Sequence, residues 1–118
     1  MGGAIAHAHC EAILARAMRA DDPVAAILEA ARTDPELDPA TRAALLRVDA
    51  DGVRIQALLV ARLRFERLLQ GSAELAARFE LDPAALTSTF RRYHRDVPMH
   101  AFFPVGEARS FAAWERER

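Results

Sequence analysis

Side chains that could ligate a metal ion are concentrated near the start of the chain, which reads "HAHCE" from residue 7. Zinc sites need three or four ligands that converge on one point. On a helix, however, His7 and His9 point about 200° apart, and only His7 shares a face with Glu11. Ligands from a distant stretch, such as His94 and His100, would have to complete a site. We therefore predict no metal site in this chain.

A second group that could take part in a reaction is His94 with Asp96, which follows the hydroxyl side chains of Ser88 and Thr89. A His-Asp pair activates a nucleophile only when that nucleophile is held within hydrogen-bond reach. These two hydroxyls lie in a helical stretch without a strained turn to present one. No Gly-rich loop could cradle a phosphate. We predict no catalytic residue and do not expect an enzyme that acts on its own.

Length and composition predict an all-α protein with a single domain spanning residues 1–118. A chain of 118 residues lies within the size of one domain. Hydrophobic residues make up 52% of the chain, with Ala and Leu dominant, and strand-forming residues are few. Every aromatic residue follows position 64. We therefore expect one core, with its best-packed part in the second half.

Charge and cysteine content limit the partners and the compartment. The formal net charge of -1 provides no overall field that would collect nucleic acid or anionic membrane. Cys10 is the only cysteine, so no intrachain disulfide can form and a reducing compartment is expected. No apolar run approaches the roughly 18 residues that suggest a membrane helix. We expect a soluble, cytoplasmic protein that does not bind membranes and whose binding surfaces are local.

Four Asp-Pro pairs punctuate the sequence, and each predicts the start of a helix, because Asp can cap free amides while Pro supplies a helical φ. Asp49 to Gly52 is predicted to be a turn. The longest helix then covers 53–70, and its wide apolar arc indicates packing on more than one side. Gly71 is expected to end it in a left-handed conformation, and Ser72 to cap the next helix. The other helices are predicted at about 4–19, 23–32, 39–47, 74–81, 83–95 and 106–115.

The stretch 74–92, "ELAARFELDPAALTSTFRR", predicts a helical hairpin. It resembles the second helix-turn-helix of AraC-type regulators at Leu75, Ala76, Leu81, Pro83, Leu86 and Phe90. This resemblance implies a small DNA-binding regulator. The departures concern recognition, since carboxylates of Glu80 and Asp82 stand where DNA phosphate would approach. We favour a hairpin used for packing and keep DNA binding as the alternative function.

The stretch from Phe90 to Trp114 combines aromatic and Arg side chains around a Pro-bounded loop, a composition enriched at protein interfaces. We expect Phe111 and Trp114 to close the core, whereas the loop aromatics suit either role. The residues that we predict to bind a partner or peptide are Arg91, Arg92, Tyr93, His94, Arg95, His100, Phe102 and Phe103.

The C-terminal 60 or so residues also resemble the small helical companion proteins of multinuclear non-haem iron oxidases that modify ribosomal peptides. The matching features are the stretch Leu63 to Phe65, the Asp82-Pro83 helix start, Tyr93-His94, the Pro-bounded loop, and Glu107-Ala108 before Phe111 and Trp114. The resemblance implies a non-catalytic accessory subunit that binds a peptide substrate, an iron-dependent oxidase or both. The iron would then belong to the partner enzyme, with no cofactor in this chain.

Overall fold

A computed structural model describes residues 3–101 and 103–118, with side chains from residue 7 onward within these ranges. It contains seven α-helices and no strand in this part of the chain, so the all-α prediction is confirmed. The helices are α1 (Gly3–Ala17), α2 (Pro23–Thr33), α3 (Pro39–Leu46), α4 (Ala50–Gln70), α5 (Ala73–Leu81), α6 (Pro83–Asp96) and α7 (Pro104–Arg116). Only Asp82 separates α5 from α6, which form the predicted hairpin.

Three of the four Asp-Pro pairs begin helices as predicted. Asp22, Asp38 and Asp82 each accept a hydrogen bond from the backbone amide three residues later, at 3.0, 2.7 and 3.1 Å. Ser72 caps α5 in the same way, at 3.2 Å. The prediction for Asp34 is wrong. Asp34 follows the end of α2, and its carboxylate accepts from the amide of Glu36 at 2.9 Å, which forms a turn instead of a helix start.

Two predictions about glycine are wrong as well, since no glycine in the described residues has a positive φ. Gly52 lies inside α4, which begins at Ala50, and in its first turn the amide of Val53 donates to the carbonyl oxygen of Asp49. Gly71 is required by space rather than by conformation. A Cβ added there would lie 1.9 Å from the carbonyl oxygen of Pro104. The chain between α4 and α5 therefore passes against the start of α7.

The described residues form two compact units, a first unit that ends at Leu59 and a second unit from Val60 to Arg118. The sequence predicted one core, whereas each unit has its own core cluster. The core of the first unit is aliphatic and consists of Ile13, Ala17, Ile27, Ala31, Leu37 and Leu45. Leu46, which follows the buried Leu45, is exposed. The first unit is thus built from α1, α2, α3 and the first part of α4.

The core of the second unit is aromatic, as the distribution of aromatic residues predicted. Its buried members are Leu68, Leu75, Leu86, Phe90, Tyr93, Ala108, Phe111 and Trp114. The Tyr93 ring lies edge-on to Phe111 and Trp114, with centroids 5.1 and 5.6 Å away. Such edge-to-face pairs add stability beyond the area they bury. The expected core role of Phe111 and Trp114 is confirmed.

Candidate interaction surface

The residues predicted to bind a partner divide into two groups. Arg91, Arg92, Arg95, His100 and Phe103 are exposed, and Phe103 leaves 77% of its surface in water. Tyr93 and His94 are buried. Phe102 lies outside the described residues. Burial keeps the side chains of Tyr93 and His94 from direct contact with a partner while α6 stays packed.

The exposed arginines follow the outer face of α6. Arg91 borders a shallow groove of about 420 Å³ that it shares with Phe79, Thr87 and Ser88. Arg95 forms an exposed ion pair with the neighbouring Asp96 at 3.3 Å. The groove therefore offers one guanidinium, two short side-chain hydroxyls and part of an aromatic ring.

Tyr93 and His94 belong instead to a buried polar network inside the second unit. Its centre is the ion pair between Arg64 on α4 and Glu107 on α7, which are 1% and 0% exposed. The guanidinium grips the carboxylate with two hydrogen bonds, Nε to Oε1 at 2.9 Å and Nη2 to Oε2 at 3.2 Å. This fork geometry is the strongest form of an Arg-carboxylate pair.

The remaining N–H groups of Arg64 have acceptors too. Nη1 donates to the carbonyl oxygen of Val97 at 2.7 Å and approaches Nδ1 of His94 at 3.2 Å, while Nη2 reaches the carbonyl oxygen of Pro98 at 3.4 Å. His94 can accept only as the Nε2–H tautomer. Four of the five N–H groups of the guanidinium therefore have oxygen acceptors, and His94 accepts from the fifth in this tautomer, as a buried charge requires.

Tyr93 completes the network from α6. Its hydroxyl donates to Oε2 of Glu107, and the Arg64 guanidinium lies 4.4 Å from the centre of its ring. Burial, followed by the hydrogen bond to Glu107, raises the pKa of the Tyr93 hydroxyl above its ordinary value. The network ties α4, α6 and α7 together in the second unit. Closed off from water, it holds helices in place and does not present a reactive group to a substrate.

A different surface is exposed on the first unit, along α4. Ile55, Leu58 and Leu59 are 60%, 71% and 49% exposed. Their spacing of three and four residues places them on neighbouring positions of one helical surface, which we call the α4 face. The prediction that this helix is packed on more than one side is wrong for these residues. The described part of the first unit leaves the α4 face uncovered.

An apolar groove of about 510 Å³ adjoins the α4 face in the first unit. The lining residues from α4 include Val53 and Gln56, and Gln56 lies three positions before Leu59. The other lining residues are Leu14, Ala15, Met18, Ile27, Val48, Asp49 and Gly52. The groove is a concave apolar surface and the α4 face is a convex one, and α4 contributes residues to both.

The structure also brings together three side chains that could hold a metal ion and that the sequence did not group. They are His9 on α1 with Asp34 and Glu36 of the connector between α2 and α3. His7 instead pairs with Glu11 on the exposed side of α1, at 2.9 Å. His9 and Asp34 are 25 residues apart in the sequence, so their spacing alone does not indicate that they meet.

Comparison of the chain with protein-family models, with curated protein sequences and with solved structures found no match. Within the described residues, none of the helices combines the length and the apolar character needed to cross a membrane.

Proposed function

We propose that this chain is a non-catalytic helical subunit that binds a partner protein through the α4 face and its adjoining groove. The observation that carries the proposal is the exposure of Ile55, Leu58 and Leu59 on consecutive turns of one helix. Contiguous exposed apolar surface on a soluble domain is a mark of an interaction site. Full burial of each such side chain is worth about 1.5–3 kcal/mol.

The shape of this surface favours a helical partner segment. An amphipathic helix that lies in an apolar groove presents side chains spaced by three and four residues, and the α4 face presents the same spacing. Leu59, a member of the α4 face, lies one helical turn after the groove residue Gln56, so one partner helix could contact both surfaces. Catalysis would then be the partner's role.

The identity of the partner is the finer part of the proposal. The resemblance to companion proteins would make it an iron-dependent oxidase of a peptide-modifying pathway, with or without its peptide substrate. The exposed arginines of α6 and the exposed Phe103 would then contact an acidic or amphipathic peptide. The iron would belong to the partner.

Co-expression with the products of neighbouring genes tests both levels of this proposal. The tagged chain should retain a defined partner, and metal analysis of the complex should find iron if the finer assignment holds. A complex without iron would reject the oxidase and leave the interaction role. If no neighbouring product is retained, the interaction proposal itself loses its support.

The role of α6 is tested by the double substitution Arg91→Glu and Arg92→Glu. Both side chains are exposed, so the far-UV circular dichroism should not change. Peptide binding should be lost if these arginines meet carboxylates. Undiminished peptide binding would show that these two arginines do not contact the peptide.

DNA binding by the α5–α6 hairpin is the second candidate function, since Arg91 and Arg92 stand exposed on its second helix. The exposed carboxylates of Glu80 and Asp82 at the turn oppose it by repelling phosphate. Binding to upstream DNA that weakens steeply with salt, and further after Arg91→Ala, would favour this function.

A further inference from the structure

We propose that His9, Asp34 and Glu36 of the first unit bind a divalent transition-metal ion, with Zn²⁺ as a fitting representative. Each residue offers one ligand atom, and the three atoms lie within 4.8 Å of one another. Nε2 of His9 is 2.6 Å from Oδ2 of Asp34. Ligands bound at about 2.1 Å are separated by roughly 3–3.5 Å, so small side-chain rotations would admit an ion between these atoms.

The connector that carries the two carboxylates is held in place by contacts outside the ligand set. Arg42 on α3 donates to the carbonyl oxygens of Ala31, Asp34 and Leu37, with distances of 2.8 and 3.2 Å to the last two. One guanidinium thus fixes the end of α2 and the following turn. Because the backbone of Asp34 is fixed, its carboxylate is presented towards α1 before any ion arrives.

The two carboxylate oxygens of Asp34 have different partners. Oδ1 accepts the backbone amide of Glu36, and Oδ2 faces His9. Hydrogen bonding of the first oxygen also orients the second, as partners of ligands do in metal sites.

The donor set selects the class of ion. Ca²⁺ and Mg²⁺ prefer oxygen ligands throughout, whereas an imidazole nitrogen with carboxylates suits zinc and its neighbours in the transition series. The Arg42 guanidinium opposes a cation, but the two carboxylates outweigh its single charge. Three protein ligands would leave a coordination position open to water. A bound ion would link α1 to the connector and stabilise the first unit.

Calorimetric titration of the full, metal-free and untagged chain with Zn²⁺ tests this site. The matched variants are His9→Ala and His7→Ala, since His7 lies on the same helix and its ion pair with Glu11 is exposed. We expect one ion per chain, a loss of affinity of more than about tenfold in His9→Ala, and wild-type affinity in His7→Ala. Glu36→Gln, at an exposed position, should also weaken binding without disturbing the fold.

Thermal unfolding supplies a second readout, because an ion that binds the folded chain raises its Tm. Zn²⁺ should raise the Tm of the wild type and of His7→Ala, and the shift should shrink in His9→Ala and Glu36→Gln. The proposal is overturned if the wild type binds no ion, or if His9→Ala binds as tightly as His7→Ala. It does not depend on the interaction role of the α4 face.

Discussion

The two units differ in the composition of their cores and in the arrangement of the apolar side chains that they leave exposed. In the second unit, aromatic rings form much of the core, and Arg64 and Glu107 form a buried, hydrogen-bonded ion pair. The first unit has a smaller aliphatic core that includes two alanines, Ala17 and Ala31, and it leaves the α4 face in water. A buried polar network constrains how its helices pack, because each donor needs its acceptor. The exposed side chains of the α4 face lie together on one helix, whereas Leu81 and Phe103 of the second unit are exposed on separate elements.

Breaking the ion pair should have the largest effect. In Glu107→Ala the Arg64 charge stays buried without its carboxylate, which costs about 3–5 kcal/mol. Chemical denaturation followed by Trp114 fluorescence would measure it, since this tryptophan lies in the core of the second unit. Glu66→Ala is the matched control, because Glu66 forms an exposed pair with Arg62 on the same helix. Its expected cost is below about 1 kcal/mol. Equal costs for the two variants would show that the network does not hold the second unit.

A substitution of Gly71, where the chain passes close to Pro104, should have the next largest effect on stability. Gly71→Ala would press a methyl group against the backbone of Pro104, and overpacking of this kind costs about 1–3 kcal/mol. Gly106→Ala is the control, because its new Cβ would meet Ala101 at an ordinary 3.5 Å. Urea denaturation of both variants checks this. A Gly71→Ala protein as stable as Gly106→Ala would contradict the packing at this turn.

A conservative change compares the core of the first unit with its open face. Ile27 is completely buried, so Ile27→Val should lower the free energy of unfolding by about 0.5–1.5 kcal/mol. The same change at the exposed Ile55 should stay within about 0.5 kcal/mol of the wild type. Thermal denaturation by circular dichroism measures both. If Ile55→Val costs as much as Ile27→Val, the α4 face is not open to water.

The smallest effect concerns the pair of Arg78 with Glu115 in the second unit, at 2.8 Å. The hydrogen bond from Arg78 lowers the pKa of the Glu115 carboxyl below its ordinary 4.5. A lowered pKa contributes stability above the unfolded-state pKa that is lost as the pH falls. Both groups are more than a third exposed, so water screens the pair and the contribution stays below about 1 kcal/mol. Stability measured from pH 6 to about 3 should fall less steeply in Glu115→Gln, and an identical slope would contradict this.

Helix starts could be predicted from local sequence because a cap is a local event. Asp22, Asp38 and Asp82 act within three residues of their own position. Asp34 shows the limit of this inference. It has the same Asp-Pro pattern, but tertiary contacts decide its role. Arg42 donates a hydrogen bond to its carbonyl oxygen, and His9 lies against its carboxylate.

The buried network could not be deduced with the same certainty, although a signal was present. Arg64 lies four residues before the buried Leu68, and Glu107 lies four residues before the buried Phe111. Opposite charges on two apolar stripes are compatible with a buried pair. Periodicity alone does not show which stripes meet, and the sequence therefore predicts a binding role for Tyr93 and His94, which the structure buries.

The most direct test of the interaction role is the affinity of the co-purified partner for three forms of the chain. These are the wild type, Leu58→Glu on the α4 face, and Leu81→Glu, which changes a leucine that is 87% exposed at the end of α5. Neither substitution touches a buried residue, so all three forms should have the same circular dichroism. We predict that Leu58→Glu weakens binding by more than about a hundredfold, as for a hot-spot residue, and that Leu81→Glu does not. Equal affinities for the three forms would contradict the assignment of the α4 face.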